Sequence, residues 1–98
     1  MKYVLMSVRD RAADSFGTPF CIPSVGAGIR SFNDAINNTA DPANTMAVHP
    51  EDFDLYHLGF YTDQHASFEL LPNPVQIAIG KDVMLKPHQL STVGRTVS

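Results

Sequence analysis

The chain has 98 residues, of which 44% are hydrophobic and 17% charged, and its formal net charge is −3 at pH 7. This length supports one hydrophobic core, and the composition is typical of a globular domain rather than of a disordered chain. The single cysteine, Cys21, excludes an internal disulfide and a thiolate metal cluster. Aliphatic runs are only a few residues long, so the sequence predicts neither a membrane-spanning helix nor a secretory leader.

The charged residues are distributed unevenly along the chain. Residues 1–30 carry four basic and two acidic side chains, whereas residues 31–80 carry seven acidic side chains and no basic one. Residues 81–98 carry three basic side chains and one acidic side chain. The pattern predicts that the two signs of charge occupy different surfaces, although chance clustering of solvated charges would produce the same sequence.

The first half of the chain predicts two extended segments and one helix. Residues 3–9 begin apolar on both faces, which is typical of a central strand. Residues 16–22 are predicted to form a short extended segment, either at a sheet edge or as a covering arm, because Pro19 cannot donate to a strand ladder. Residues 25–37 have one apolar stripe at helical spacing, with Ser24 as the N-cap. The stripe consists of Val25, Ile29, Phe32 and Ile36.

The second half is richer in strand patterns. Residues 39–49 are predicted to form a loop, and Pro50 to begin a single helical turn. Three strands are predicted after it, and the first two are joined by a hairpin turn at 63–66. These strands are 53–62, 67–71 and 75–79.

Together these elements predict an α+β fold. We expect a small antiparallel or mixed sheet of about four or five strands, with one amphipathic helix packed on it. Residues 1–80 would form a single domain, and residues 81–98 a flexible, basic C-terminal tail in which periodicity fades.

Glycine and histidine patterns in this sequence favour structural roles. Gly26 and Gly28 resemble part of a dinucleotide fingerprint, but the third glycine and a second βα unit are missing. We therefore expect small residues that let the helix approach a strand. His49, His57 and His65 recur every eight residues, a spacing that places ligands neither on one helix face nor across a tight knuckle. The sequence thus predicts no cofactor and no metal.

Catalytic constellations are also missing from the sequence. No serine lies in a Gly-x-Ser-x-Gly elbow, and Cys21 has no activating cation beside it. The adjacent carboxylates Glu51 and Asp52 are typical of a capped or solvated turn. We therefore expect a protein that is not an enzyme.

Basic and aromatic residues indicate a nucleic-acid contact. If the two ends of the chain come together, their basic side chains form one face for phosphates. Phe16, Phe20 and Tyr61 offer stacking surfaces for unpaired bases, although a domain without tryptophan needs most of its aromatic residues in the core. Arg95 is a further basic residue. The predicted nucleic-acid-binding residues are Arg9, Arg11, Arg30, Lys81 and Lys86.

Several segments, taken in order, resemble one viral family. They include Val8-Arg9-Asp10, Ala27-x-Ile29-Arg30-x-Phe32 and, most densely, His49-Pro50-Glu51-Asp52-Phe53-x-Leu55-Tyr56-x-Leu58-Gly59-x-Tyr61-x-Asp63. This string resembles the small non-structural protein of gokushovirus-type Microviridae, phages with small circular genomes of single-stranded DNA. Such proteins are usually described as non-structural or DNA-binding, and are likened to the φX-type C protein.

The resemblance implies a non-enzymatic accessory protein in viral single-stranded DNA synthesis and packaging. It would act in the host bacterial cytoplasm, bind single-stranded phage DNA and be absent from the finished virion. In the alternative interpretation the protein is an adaptor whose acidic middle docks onto the replication initiator or the procapsid. The residues for that contact are Glu51, Asp52 and Asp54. Open strand edges in so small a domain further predict a homodimer.

Overall fold

One antiparallel sheet organises residues 1–84, which are the residues that the computed structural model describes. Its strands are β1 (Lys2–Asp10), β2 (Ser15–Phe16), β3 (Phe20–Ile22), β4 (Phe53–Thr62) and β5 (Ser67–Ile79). They lie in the order β2-β1-β4-β5, and β3 also pairs with β1. The sheet confirms the α+β prediction, with β1 as the expected interior strand. The predicted second segment forms two short strands, β2 and β3, which both pair with β1.

Helix α1 (Val25–Asn37) has the bounds that the sequence predicted. Ser24 caps it, since its Oγ accepts a hydrogen bond from the amide of Ala27 at 3.1 Å. A serine at this position satisfies one of the four amides that lack a partner at a helix N-terminus. The apolar stripe of α1 then faces the sheet.

The prediction of a loop over residues 39–49 is wrong in part, because a short helix, α2 (Thr45–Val48), lies within it. The carbonyl of Asn44 accepts hydrogen bonds from two amides of this helix, at 3.1 and 3.2 Å. Four residues are too few to show a helical period in a sequence. A 3₁₀ turn (Pro50–Asp52) follows, begun by the proline as predicted.

The helices cover one face of the sheet, which we call the covered face. Met6 and Leu55 are 0% exposed there and belong to one cluster with Phe32 and Ile36 of α1. Burying each such side chain contributes about 1.5–3 kcal/mol. Gly28 lets α1 approach β1, because a Cβ at this position would collide with the sulfur atom of Met6. Gly28 is therefore a packing residue, as predicted.

The opposite face of the sheet, the open face, does not contribute to the cluster with α1. Leu5 and Ser7 alternate with the cluster residues of β1 and are still buried, and Ser7 Oγ donates to the carbonyl of Gly17 at 2.7 Å. Cross-strand partners point to the same face, so the register identifies the rest of the open face. Its outer residues include Tyr3, Arg9, Phe16, Asp54, Tyr56, Tyr61, Phe68 and Leu70.

Strand β5 is longer than expected. The two strands predicted in its place are one continuous strand of 13 residues that contains Pro72 and Pro74. Its pairing with β4 shifts between His57 and Gly59, where residues 71–74 lie opposite a single residue. The prolines are tolerated because this bulge falls on an edge strand, where their missing amides remove no partner.

The described domain continues to residue 84, because a last short helix, α3 (Gly80–Val83), packs beside α1 and the 3₁₀ turn. The side-chain amide of Asn37 donates to the carbonyl of Val83 at 3.0 Å. The predicted tail from residue 85 onward, including Lys86 and Arg95, lies outside the described residues. Within residues 1–84, no helix combines the length and the hydropathy that a membrane crossing requires.

Candidate functional site

A cleft of about 490 Å³ on the open face brings together residues from separate parts of the chain. Strands β4 and β5 line its sheet side, and the turn after β1, the 3₁₀ turn and α3 line its other sides. Two residues of the predicted nucleic-acid set and all three residues of the alternative set lie here. The lining includes Arg11, Glu51, Asp52, Asp54, Tyr56 and Lys81.

Arg11 joins the turn after β1 to the 3₁₀ turn. Its Nε contacts Oδ2 of Asp54 at 3.0 Å, and a terminal guanidinium nitrogen donates to the carbonyl of Glu51. Its backbone amide also donates to the carbonyl of Asp52 at 2.8 Å. With its side chain and its backbone both engaged, Arg11 is held in one position at the cleft.

Lys81 reaches the cleft because α3 lies close to β4. A Cβ at position 80 would lie 2.6 Å from the carbonyl oxygen of Phe53, so only glycine permits this approach. Gly80 therefore fixes the position of α3, and α3 presents Lys81 to the cleft. Lys81 forms no ion pair with any of the residues that the structure describes.

Asp54 is the buried carboxylate of the cleft, with an exposure of 1%. Its Oδ2 contacts Arg11, but within residues 1–84 its Oδ1 has no hydrogen-bond partner. Buried polar atoms are nearly always paired, and an unpaired one costs about 1–3 kcal/mol. The alternative interpretation used Asp54 as a protein-docking residue. Its burial leaves Glu51 and Asp52 as the accessible carboxylates of that set.

Two aromatic pairs lie on the open face, and of their members Tyr56 lines the cleft. Phe16 meets Tyr56 edge to face, with ring centroids 5.2 Å apart. Tyr61 and Phe68 form a second pair, tilted, with centroids 5.0 Å apart. Phe16 is 44% exposed and Phe68 is 62% exposed, so these two are not among the aromatic residues that the core takes up. Phe20, in contrast, packs against the core.

The guanidinium group of Arg9 lies near the aromatic pair of Phe16 and Tyr56. Its guanidinium carbon lies 6.0 Å from the centroid of the Phe16 ring, at the outer limit for a cation–π contact. It also donates to Oδ1 of Asp14 at 2.6 Å. The hydrogen bond to Asp14, and to a smaller extent one to Tyr56, raises the pKa of Arg9 above its ordinary value.

The predicted separation of positive and negative surfaces is wrong at this site. Arg9 and Arg11 are each paired with an aspartate, and Glu51 and Asp52 line the same cleft as Lys81. Arg30 lies on α1, exposed, and so belongs to the covered side of the sheet rather than to the open face. The structure thus brings Arg9, Arg11 and Lys81 to one side and leaves Arg30 on the other.

The histidines of the eight-residue repeat have separate surroundings. Nε2 of His57 lies 2.9 Å from the carbonyl oxygen of Gly59, and His65 lies exposed in the hairpin turn. His49 lies near two acidic residues, with its Nδ1 3.8 Å from Oε1 of Glu51 and with Asp52 in the same cluster. Exposed acidic groups often gather in this way without an ion, and we assign no metal to them.

Sequence reasoning did not single out Tyr56 and Gln76, which face each other across β4 and β5 and line the cleft. Strand alternation places Tyr56 on the opposite face from Leu55, and this signal was available in the sequence. The bulge in β5 decides that Gln76 lies opposite Tyr56, and the sequence does not predict the register of the two strands across a bulge.

A comparison with protein families supports a viral origin for this architecture. A family model described as phage ORF5 protein matches residues 3–83. These residues include α1, the cleft and the whole sheet apart from the first residue of β1. No match was found among curated proteins, and none was found among solved structures. The match spans most of the chain, and the chain therefore belongs to the phage ORF5 protein family.

Proposed function

We propose that this phage accessory protein binds single-stranded DNA through the open face of its sheet, in support of viral DNA synthesis and packaging. The observation that carries the proposal is the aromatic character of the open face, where Phe16 and Phe68 are exposed and Tyr56 lines the cleft. Base–aromatic stacking contributes about 1–3 kcal/mol per base and tolerates any sequence. A sheet face with exposed rings is a common platform for unpaired bases.

The charges of the described residues favour stacking over phosphate contacts as the source of affinity. Residues 1–84 contain five basic side chains and all ten acidic side chains of the chain, which gives a net charge of −5. Three of these cations, Lys2, Arg9 and Arg11, already contact carboxylates, so a phosphate has to compete for them. Single-stranded DNA releases about 0.7 counterion per neutralised phosphate. We therefore expect binding whose salt dependence is shallow, with a slope of about −1 to −2 on a log–log plot.

Fluorescence anisotropy with a labelled oligothymidine tests this proposal. Phe16→Ala should weaken binding about fivefold to a hundredfold, because it removes one stacking ring that the core does not need. Val48→Ala is the matched control, since Val48 is also an exposed apolar side chain but lies on α2, outside the sheet. Equal affinities for the wild type, Phe16→Ala and Val48→Ala would contradict the proposal, as would no binding at low salt.

A second candidate function is the adaptor interpretation, which the acidic character of the described chain favours. Glu51 is exposed and Asp52 partly exposed in the 3₁₀ turn, so both are accessible to a basic partner such as the replication initiator or the procapsid. Glu51→Lys with Asp52→Lys should then abolish copurification with that partner. Asp34→Lys with Asp41→Lys makes the same change of charge at exposed positions outside the cleft and should have no effect.

Self-association remains part of the proposal. Strand β5 forms a sheet edge, and its exposed Phe68, Leu70 and Val75 support pairing with a second copy. We propose a homodimer that acts by binding, without catalysis, in the host cytoplasm and outside the finished virion. The mass in solution, measured with and without oligothymidine, gives the number of copies and of bound strands in one experiment. A monomer at all concentrations would contradict the dimer.

A further inference from the structure

The free edge of β5 has two parts that differ in composition. Residues 67–74 contain the exposed Glu69 and the two prolines, Pro72 and Pro74. Charged side chains and prolines on an edge strand hinder its pairing with another chain. Residues 75–79 contain neither a charge nor a proline. They are therefore the part of this edge that nothing in the strand protects from pairing.

An apolar groove of about 360 Å³ lies beside this unprotected part, between β5 and the helices α1 and α3. Its apolar lining residues are all partly exposed, and its single charged residue is Asp82. A further strand along this edge would form main-chain hydrogen bonds with β5 and place alternate side chains against the groove. The apolar lining consists of Ile29, Ile77, Ala78, Ile79 and Val83.

We propose that this further strand comes from a second copy of the protein, whose residues 75–79 pair antiparallel with those of the first around Ile77. The inference rests on the proposed self-association and locates its interface. Pairing through residues 67–71 would instead place Glu69 opposite or diagonal to the partner's Glu69, and opposing like charges destabilise a strand pair. Residues 75–79 bring only apolar and neutral side chains together. Because a two-fold pair uses the same patch twice, each copy covers the groove of the other.

The symmetry of this pair has a consequence for the open face. Identical strands that pair antiparallel are related by a two-fold axis perpendicular to the sheet. The two sheets then continue into one, and both open faces lie on the same side. The exposed Phe16 and Phe68 of both copies belong to one surface in this arrangement. A single DNA strand long enough to cross the paired edges contacts both copies.

The mass in solution tests the interface without DNA. Val75→Lys with Gln76→Lys places two like charges on each copy in the paired stretch, and both side chains are exposed, so the fold should tolerate them. We expect the wild type to be a dimer and this variant a monomer under the same conditions. Ser67→Lys with Asn73→Lys adds the same charge at exposed positions of the same strand and should remain a dimer.

Hydrogen exchange of the unchanged protein tests the location without a substitution. The amides of residues 75–79 should gain protection as the protein concentration rises, because they then bond to the second copy. The amides of residues 67–71 should show no dependence on concentration. This measurement decides the location if the first lysine variant does not fold, as circular dichroism would show.

Oligothymidines of about 10 and about 20 nucleotides then test the joined open face. In the dimer, the second contact of the longer strand is intramolecular and therefore tightens binding. The ratio of the two affinities should be at least about tenfold larger for the wild type than for the monomeric variant. The dimeric lysine control carries the same added charge as the monomeric variant and should keep the wild-type ratio.

The outcomes separate this inference from the proposed DNA binding. A monomeric wild type, equal masses for the two lysine variants, or concentration-dependent protection confined to residues 67–71 overturns the interface. Equal length ratios in the wild type and the monomeric variant overturn the joined open face. A dimer that dissociates through residues 75–79 but binds neither oligothymidine supports the interface and overturns the proposed DNA binding.

Discussion

The covered and open faces of the sheet are built from the same strands, yet their side chains serve different purposes. On β4, Leu55 is 0% exposed against α1, whereas its neighbour Tyr56 borders the cleft on the other side. On β1, Met6 is fully buried and Arg9 is partly exposed. The covered face therefore carries most of the apolar burial, and the open face is free to hold rings, ion pairs and an unpartnered carboxylate. The two faces of one sheet therefore divide apolar packing from exposed rings and charges.

The largest effect should come from the centre of the covered face. Leu55→Ala should lower the free energy of unfolding by about 2–5 kcal/mol, because it leaves a cavity beneath α1. Leu70→Ala makes the same change at a position that is 67% exposed on the open face, and it should change stability by no more than about 0.5 kcal/mol. Urea denaturation measures both. Comparable losses in the two variants would contradict the division between faces.

Two glycines of α1 test how closely this helix packs on the covered face. Gly28→Ala places a Cβ against the sulfur of Met6 and should destabilise by about 1–3 kcal/mol through overpacking. Gly26→Ala, in the same helical turn, has its nearest neighbour at 3.9 Å and should stabilise by up to about 1 kcal/mol, because alanine favours helix. Thermal unfolding of the two variants should therefore shift in opposite directions. A gain in stability from Gly28→Ala would show that α1 does not pack as closely as described.

A smaller effect is expected at the start of the helix that covers the sheet. Ser24→Ala removes the acceptor for the amide of Ala27 and should cost about 1 kcal/mol. Ser24→Asp keeps an acceptor at the cap and should restore stability. Urea denaturation of both variants checks this prediction, and equal loss in the two would mean that the cap contributes nothing.

The smallest effect on stability should come from the open face. Asp14→Asn removes the carboxylate that contacts Arg9, and asparagine tolerates the positive φ of 54° at this position. Exposed ion pairs contribute little, so the urea midpoint should not move measurably. The released guanidinium should instead tighten binding of oligothymidine and steepen its salt dependence by about 0.7, one phosphate contact. An unchanged slope would mean that Arg9 does not meet DNA.

The elements that the sequence predicted well are those with a clear period. The stripe of α1 repeats over three turns, and β1 and β4 are long enough to show their pattern, so their bounds agree closely with the structure. The short helix α2 and the continuous course of β5 were missed. A four-residue helix has no period to detect, and the prolines of β5 normally end a strand unless it lies at an edge.

The cleft was predicted in its parts but not as a whole. Arg11 and Lys81 were assigned to one hypothesis and Glu51, Asp52 and Asp54 to another, because their charges differ and they lie far apart along the chain. The structure places all five around one opening. Charge counts along a chain do not reveal ion pairs that form across a sheet.

The residue pattern by itself determined the class of fold, the main helix and its cap, and the strands that carry the core, since local periodicity and capping chemistry act over a few neighbouring residues. Tertiary structure alone decided which side chains meet. The pairing of β1 with β4 sets the register that joins Arg11 to Asp54. The bulge in β5 and the close approach of α3, which depends on a glycine, bring Lys81 beside them. These three residues lie about 30 to 70 positions apart along the chain, a separation over which sequence spacing carries no information about geometry.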